Sequence, residues 1–562
     1  MPDLEECRRR ILDEEIRDFI VGRDAVFWRG LLEADICRQE LEYSFQILYA
    51  SEEEEARPLY DFPYSSVPLC FAPTDMEALA QAGIAQVQNL PGLELTGEGV
   101  MVAFVDTGIH YEDPVFRNLD GSSRVLRIWD QTVQEGTPPE GLLYGSEYTR
   151  EMINEALRSD NPQELVPSTD RDGHGTFVAS VACGGGNPEN RFLGAAPEAD
   201  IVMVKLKEAK QYLRDYYFIA KGQPCFQEND VMAALYYLRQ IVRQEQRPMV
   251  ICMALGSNFG GHSGATPLAA YMEVMANIPM ISFTVGTGNE ADKRHHYLGE
   301  VRDESGEEFE LNVSAGTDGF VMELWTEISN IFSISIISPT GDRSGRMPVR
   351  ERTGTYDFVF EQTRVTVNYN ILVQRTNSEV IFLKFERPLT GIWRVRAEPV
   401  QLENGRFHVW LLQQEFLRGD VHFLRPSPDY TIMEPGNIHS AAVSAFYNGA
   451  DNSIAVSSGR GYTRLNAIKP DFAAPGVGVT GVNLRGQFVA RSGSSISAAI
   501  TAGAEALLAE WLSRQGVFLD SVQFKNLLIL GAVRRRDRMY PNREWGNGEL
   551  NLYQTFEAIR RF

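Results

Sequence analysis

Four apolar runs most constrain what this chain can fold into: "VMVAFVDTG" at 100–108, "ADIVMVKLK" at 199–207, "PMVICMALG" at 248–256 and "IPMISFTVGTGN" at 278–289. A strand apolar at nearly every position, rather than at every second one, is buried on both faces and needs a layer of structure on each side. Helical patterns such as "DVMAALYYLRQIVRQE" at 230–245 lie between the runs. Strands and helices in alternation predict an α/β domain: a parallel sheet with helices on both faces. In such sheets ligands sit beyond the carboxyl ends of the strands. Asp106, Gly256 and Asn289 all fall there.

The pattern does not run the whole length. With 562 residues the chain exceeds one ordinary domain. From 301 to 439 the character changes to eight short strand-like segments with turns between them and no helices, among them "GFVMELWTEI", "EVIFLKFE" and "GIWRVRAEPV". These predict a β-sandwich of jelly-roll type. From 440 to 562 the α/β character returns, with "SIAVSSG" and the helix "SISAAITAGAEALLAEWLSRQ". The β-domain therefore reads as an insertion into one α/β domain spanning 66–300 and 440–562. Residues 1–65 read as a separate α+β segment. "DFIVG" and "FQILYAS" are its strands, "DAVFWRGLLEADICRQELE" is its helical stretch, and the acidic "SEEEEARP" closes it.

The net charge of −23 argues against nucleic acid, which needs a basic face, and against an anionic membrane surface. No run of 18 apolar residues predicts a membrane span. The opening "MPDLEECRRRILDEE" has no apolar signal core, which predicts a cytoplasmic protein. The six cysteines, Cys7, Cys37, Cys70, Cys183, Cys225 and Cys252, are far apart and form no C-x-x-C pair. They read as small buried hydrophobes in a reducing compartment rather than a disulfide or zinc framework. No calcium-loop pattern is visible, so neither metal nor cofactor is expected.

Three stretches carry chemistry. Asp106 ends a buried strand, where a carboxylate is costly unless it is hydrogen-bonded or functional. His174 lies between two glycines in "DRDGHGTFVASVACG", at the start of a helix. "ARSGSSISAAITAG" holds Ser492, Ser494, Ser495 and Ser497 where a loop passes into a small-residue helix. Each alone also suits a turn or a cap. Together, in chain order, they are Asp, His, Ser, one of the known orders of a nucleophilic triad.

"VDTGI", "DGHGTFVAS" and "SGSSISAAITAG", in that order, resemble the three motifs of subtilisin-like serine peptidases (the S8 family). "VGTGNEA" is similar to the strand end that carries the family's oxyanion-hole asparagine, "MALGSNFGG" to the segment that pairs with substrate backbone, and "IKPDFAAPGVGV" to the stretch before the serine. The resemblance implies Ser495 as nucleophile, with Ser494 in the place of the family's threonine. It implies His174 as general base and acid, Asp106 as its orienting carboxylate, and Asn289 with the Ser495 N–H as oxyanion donors. It further implies that Ala254, Leu255 and Gly256 border the substrate backbone and that Gly286, Thr287 and Gly288 line the P1 pocket wall. The chain departs from the family at Ala499, where a proline is usual, and at Phe177, where simpler relatives often carry histidine. The 133–167 interval looks like surface elaboration near the cleft.

The N-terminal segment, subtilisin-like core and β-insertion together resemble the Csp germination proteases of clostridia. That resemblance implies a propeptide (1–65) that assists folding, is cut by self-cleavage near 57–66 with Tyr64–Ser65 as one candidate bond, and can stay bound in the cleft. It also implies an insertion that clamps the enzyme, a spore-associated location, and a protein substrate that is the zymogen of a spore-cortex hydrolase. Three other readings stay open: a non-catalytic pseudoprotease on the same fold, a permanent N-terminal domain, and an insertion that binds carbohydrate or a partner.

Overall fold

The computed structural model describes residues 4–22, 26–28, 36–41, 45–51, 57–73 and 81–561. The N-terminal segment opens with the helix Leu4–Leu12, followed by β1 (Arg17–Gly22), β2 (Cys37–Glu40) and β3 (Phe45–Ala50), which form a small antiparallel sheet in the order β1–β3–β2. Two expectations are corrected here. Part of the stretch expected to be helical is strand, at Cys37–Glu40, because its backbone pairs with β3; residues 29–35 of that stretch lie outside the described residues. The cysteines are not all free. Cys7 and Cys37 form a disulfide, because the helix packs over β2 and brings their Cα atoms 5.2 Å apart, within bridging range. Cys70, Cys183, Cys225 and Cys252 are buried free thiols.

After β4 (Cys70–Pro73) the chain enters the α/β core through β5 (Met101–Asp106), β6 (Val125–Asp130), β7 (Ser146–Thr149), β8 (Asp200–Lys205), β9 (Phe226–Gln227), β10 (Met249–Met253), β11 (Leu255–Gly256) and β12 (Ile281–Gly286). The main sheet runs β12–β10–β5–β8–β6–β7. Beyond β12 it is extended by Ala442–Asn448, which pairs with both Ser453–Ile454 and Phe472–Val477. All pairs from β12 to β6 are parallel. The expected burial on both faces is literal. Met101, Ala103 and Val105 of β5 enter one core, while Val102 and Phe104 enter the other. The helix Glu228–Glu245 covers the first face and the helix Ser494–Ser513 the second. Each valine, methionine or phenylalanine of β5 taken fully from water contributes roughly 1.5–3 kcal/mol. The 133–167 interval is more than elaboration: it contains β7, the antiparallel edge strand of the main sheet.

The insertion is a two-layer antiparallel sandwich. One sheet orders His296–Glu300, Arg406–Leu411, Gly319–Glu327, Ser378–Glu386, Thr363–Asn370 and Thr353–Phe358. The other orders Ile331–Ile337, Gly391–Gln401, Glu307–Val313 and Val421–Phe423. The strand Gly391–Gln401 alternates in burial, so that Trp393, Val395 and Ala397 point inward between exposed or half-exposed neighbours, while Gly319–Glu327 is buried at all but its last residue. Where the sandwich meets the core, the packing turns aromatic. His262 of the core stacks on Trp410 of the insertion with ring centres 4.0 Å apart. His408 stacks on the same indole, and its Nδ1 lies 3.0 Å from His296 Nε2.

The N-terminal segment is anchored by charge as well as by apolar burial. Asp18 of β1 is fully buried. Its carboxylate accepts from Lys210 Nζ at 2.6 Å and from the Gln227 and Asn229 side-chain amides at 3.1 Å each. Gln227 lies on β9, so the N-terminal sheet is tied directly to the strand that pairs with β4.

Candidate active site

Asp106 is the last residue of β5 and is 1% exposed. Its carboxylate accepts from the Thr107 N–H at 2.7 Å, which offsets part of the cost of burial. His174 is the first residue of the helix His174–Cys183. Its position is set by a residue the sequence reading passed over: Asp170 accepts from the Gly173 and Thr176 N–H groups and from the Thr176 hydroxyl. Gly173, just before the helix, has φ +91°, a left-handed conformation that glycine adopts without strain.

From this placement His174 Nδ1 lies 2.8 and 3.0 Å from the two Asp106 oxygens. His174 Nε2 lies 3.0 Å from Ser495 Oγ. The three side chains are brought into line from three segments: β5, the first turn of one helix and the first turn of another. The geometry matches what a relay needs, with a carboxylate fixing the imidazole tautomer and the other ring nitrogen facing a hydroxyl.

The four serines separate cleanly. Ser492 is exposed. The Ser494 hydroxyl accepts from the Gly288 N–H at 3.0 Å, and Ser497 donates to the Ser494 carbonyl at 2.8 Å. Only Ser495 faces the imidazole. Gly493 precedes the helix Ser494–Ser513 with φ +155° and ψ 179°, a region almost reserved for glycine, so the turn that presents Ser495 depends on it. Asn289 stands three residues beyond β12. Its Oδ1 accepts from the Ser494 N–H at 3.1 Å, which leaves the NH2 end of the amide to donate. The helix N-terminus beside it favours negative charge. Ala499 lies fully buried within the helix, and Phe177 packs under Gly481 and Arg491.

The cleft is already filled by the chain itself. β4 pairs antiparallel with β11, Ala72 opposite Gly256 and Pro73 opposite Leu255. On its other edge it pairs with β9, Cys70 opposite Gln227 and Phe71 opposite Phe226. A strand added between two others is how an extended peptide is bound by backbone pairing. Leu255 and Gly256 form the β11 side of this pairing, and Ser495 Oγ lies 3.5 Å from the Ala254 carbonyl. The second wall, β9, was missed, because a two-residue strand in "QPCFQEND" leaves no periodicity to read. Also missed was Met433. A methyl group at Gly288 would fall 2.3 Å from Met433 Sδ, and one at Gly256 3.0 Å from its Cβ. Met433 therefore lies between the segment 254–256 and the segment 286–288. Gly286 packs as closely, against the Ser494 carbonyl, and the Thr287 carbonyl accepts from the Met433 N–H.

With this arrangement of strands and side chains, the sequence model of the subtilase family matches residues 97–548. The chain belongs to the subtilase family. Among solved structures, this subtilase is similar to the CspB protease of Clostridium perfringens, at 30% identity and a TM-score of 0.75. That match covers 86% of this chain and 99% of the other. Two Arabidopsis thaliana subtilisin-like proteases match more locally. SBT2.2 is 32% identical over 131 residues, 20% of this chain and 15% of its own length. SBT2.3 is 34% identical over 101 residues, 16% and 12%. The matched part of this subtilase thus spans only a small fraction of the plant proteins, whereas it spans nearly all of CspB. Among the described residues no helix is long and apolar enough to cross a membrane.

Proposed function

We propose that this subtilase is a serine endopeptidase in which Asp106, His174 and Ser495 form the catalytic triad and Asn289 serves the oxyanion. Carrying this reading is the continuous hydrogen-bonded line Asp106–His174–Ser495, at 2.8 and 3.0 Å, beside a groove that holds an extended strand. His174 Nε2 takes the Ser495 proton as Oγ attacks the scissile carbonyl. The Asn289 NH2 and the Ser495 N–H bind the resulting oxyanion. The tetrahedral species collapses as His174 passes the proton to the leaving amine. Water then repeats the sequence on the acyl-enzyme, returning Ser495.

The first substrate is the chain's own N-terminal segment. β4 runs along β11 toward Ala254 and Ser495, so the bond to be cut follows Pro73, within residues 74–80, which lie outside the described residues. The earlier candidate, Tyr64–Ser65, is held elsewhere. Tyr64 donates to Glu323 at 2.6 Å and packs against Trp325 of the insertion, and its backbone forms a 3-10 turn rather than a strand in the groove. The propeptide thus extends past residue 65 through β4, and its cut end stays in the groove as a product inhibitor. The physiological target is a protein zymogen, and the Csp resemblance points to a spore-cortex hydrolase.

Intact mass of the wild type beside Ser495→Ala tests this reading. The expected result is a wild type split within 74–80 and a mutant that remains whole. Two whole proteins, with no fluorophosphonate labelling of Ser495 after displacement of the N-terminal segment, would establish a non-catalytic binding protein instead.

A further inference from the structure

Two neighbouring residues of the insertion bond to segments that border the cleft. Gln413 lies just after the strand Arg406–Leu411 and is fully buried. Its side-chain NH2 donates to the Gly256 carbonyl, and its Oε1 accepts from the Asn258 N–H, each at 3.3 Å. One amide thus spans the backbone at the end of β11, the strand that pairs with β4. Beside it, the Gln414 N–H donates to Glu290 Oε1 at 3.2 Å. Glu290 directly follows Asn289 and is 2% exposed. Its other oxygen accepts from Asn258 Nδ2 at 3.0 Å and lies 2.6 Å from His295 Nδ1. The insertion therefore grips both segments that frame the reacting bond: 256–258, which aligns the peptide, and 289–290, which carries the oxyanion amide.

A sandwich that only stiffened the core could make its contacts anywhere along the seam. Here, buried polar groups meet backbone groups at the end of the peptide-binding strand β11, where a lost partner leaves a buried N–H and C=O unsatisfied. We infer that Gln413 is a positioning residue for peptide hydrolysis, supplied by the insertion, which sets the register of β11 against the strand it binds. This inference rests on the peptidase reading above and names how the insertion regulates that same site.

The test compares two substitutions in the insertion. Gln413→Met keeps the shape of the side chain and removes both hydrogen bonds. Trp393→Phe loosens the sandwich interior, where Trp393 packs between Phe358 and Phe385 away from the cleft. Self-processing is followed by intact mass after refolding. Hydrogen exchange of segment 254–258 is followed in full-length chains carrying Ser495→Ala. Gln413→Met is expected to slow processing about tenfold or more and to speed exchange at 254–258 selectively. Trp393→Phe is expected to lower the melting temperature and leave processing at the wild-type rate. Equal slowing by both variants, or no slowing by Gln413→Met, would overturn the inference. A wild type that never processes itself would count against the peptidase reading alone. In that case exchange decides: selective loosening of 254–258 supports the positioning role of Gln413, and unchanged exchange overturns it.

Discussion

The core and the insertion solve burial in different ways. In β5 and β10 every residue is buried, and alternate side chains feed two separate cores. All the chemistry is pushed to the one place a doubly covered strand leaves open, its carboxyl end. The sandwich strands Glu307–Val313 and Gly391–Gln401 bury alternate residues, whereas Gly319–Glu327 and Ser378–Glu386 are buried at nearly every position. The buried polar side chains Gln413, His296 and His408 gather where the sandwich meets the core. The difference teaches that the core concentrates the reacting groups while the insertion acts on them only through its seam.

The sharpest way to break that contrast is to remove chemistry without touching the fold. His174→Ala should lower turnover by about 10⁶, the scale of the corresponding loss in subtilisin, with the melting temperature of the chain nearly unchanged. Peptide hydrolysis and differential scanning calorimetry check both halves, and a large loss of stability with modest loss of rate would reverse the assignment. The converse substitution is Trp393→Ala, which empties a fully buried site in the sandwich. It should cost about 3–5 kcal/mol in unfolding free energy, measured by urea denaturation, while the rate per folded molecule stays put. A rate that falls with Trp393→Ala even in fully folded protein would mean that the sandwich interior, and not only its seam, reaches the site.

Asn289→Ala should reduce kcat by about 10²–10³ with little change in KM, since an oxyanion donor acts in the transition state. A change confined to KM would assign Asn289 to binding.

The smallest effect concerns pH. Glu228 accepts from the Leu69 and Leu268 N–H groups, and Glu323 from the Tyr64 hydroxyl and the Trp325 indole. Both hold the N-terminal segment, and burial pushes both up to about 7. Their folded values exceed the unfolded carboxylate value. The stability they contribute is therefore complete below about 4.5 and is lost as pH rises through about 7. The thermal midpoint of full-length Ser495→Ala should fall between pH 5 and 8, and Glu228→Gln with Glu323→Gln should flatten that slope. A midpoint that rises over this range would contradict the assignment.

What could be read without coordinates was whatever is local. The four apolar runs became β5, β8, β10 with β11, and β12, because continuous burial leaves its mark on consecutive residues. The Asp106, His174 and Ser495 stretches were legible because each is a short turn whose glycines and small residues are dictated by its own backbone. Eight of the insertion's strands were visible, while His296–Glu300 and Val421–Phe423 were too short to stand out. Tertiary structure alone decided the rest. It paired Cys7 with Cys37, laid β4 between β9 and β11, set Met433 between Gly256 and Gly288, and brought Gln413 to the Gly256 carbonyl across more than 150 positions of chain. None of these has a periodicity or a motif. Each arises only when the long-range packing of the sheet and sandwich brings distant backbone groups to within a hydrogen bond of one another, and sequence spacing carries no record of that distance.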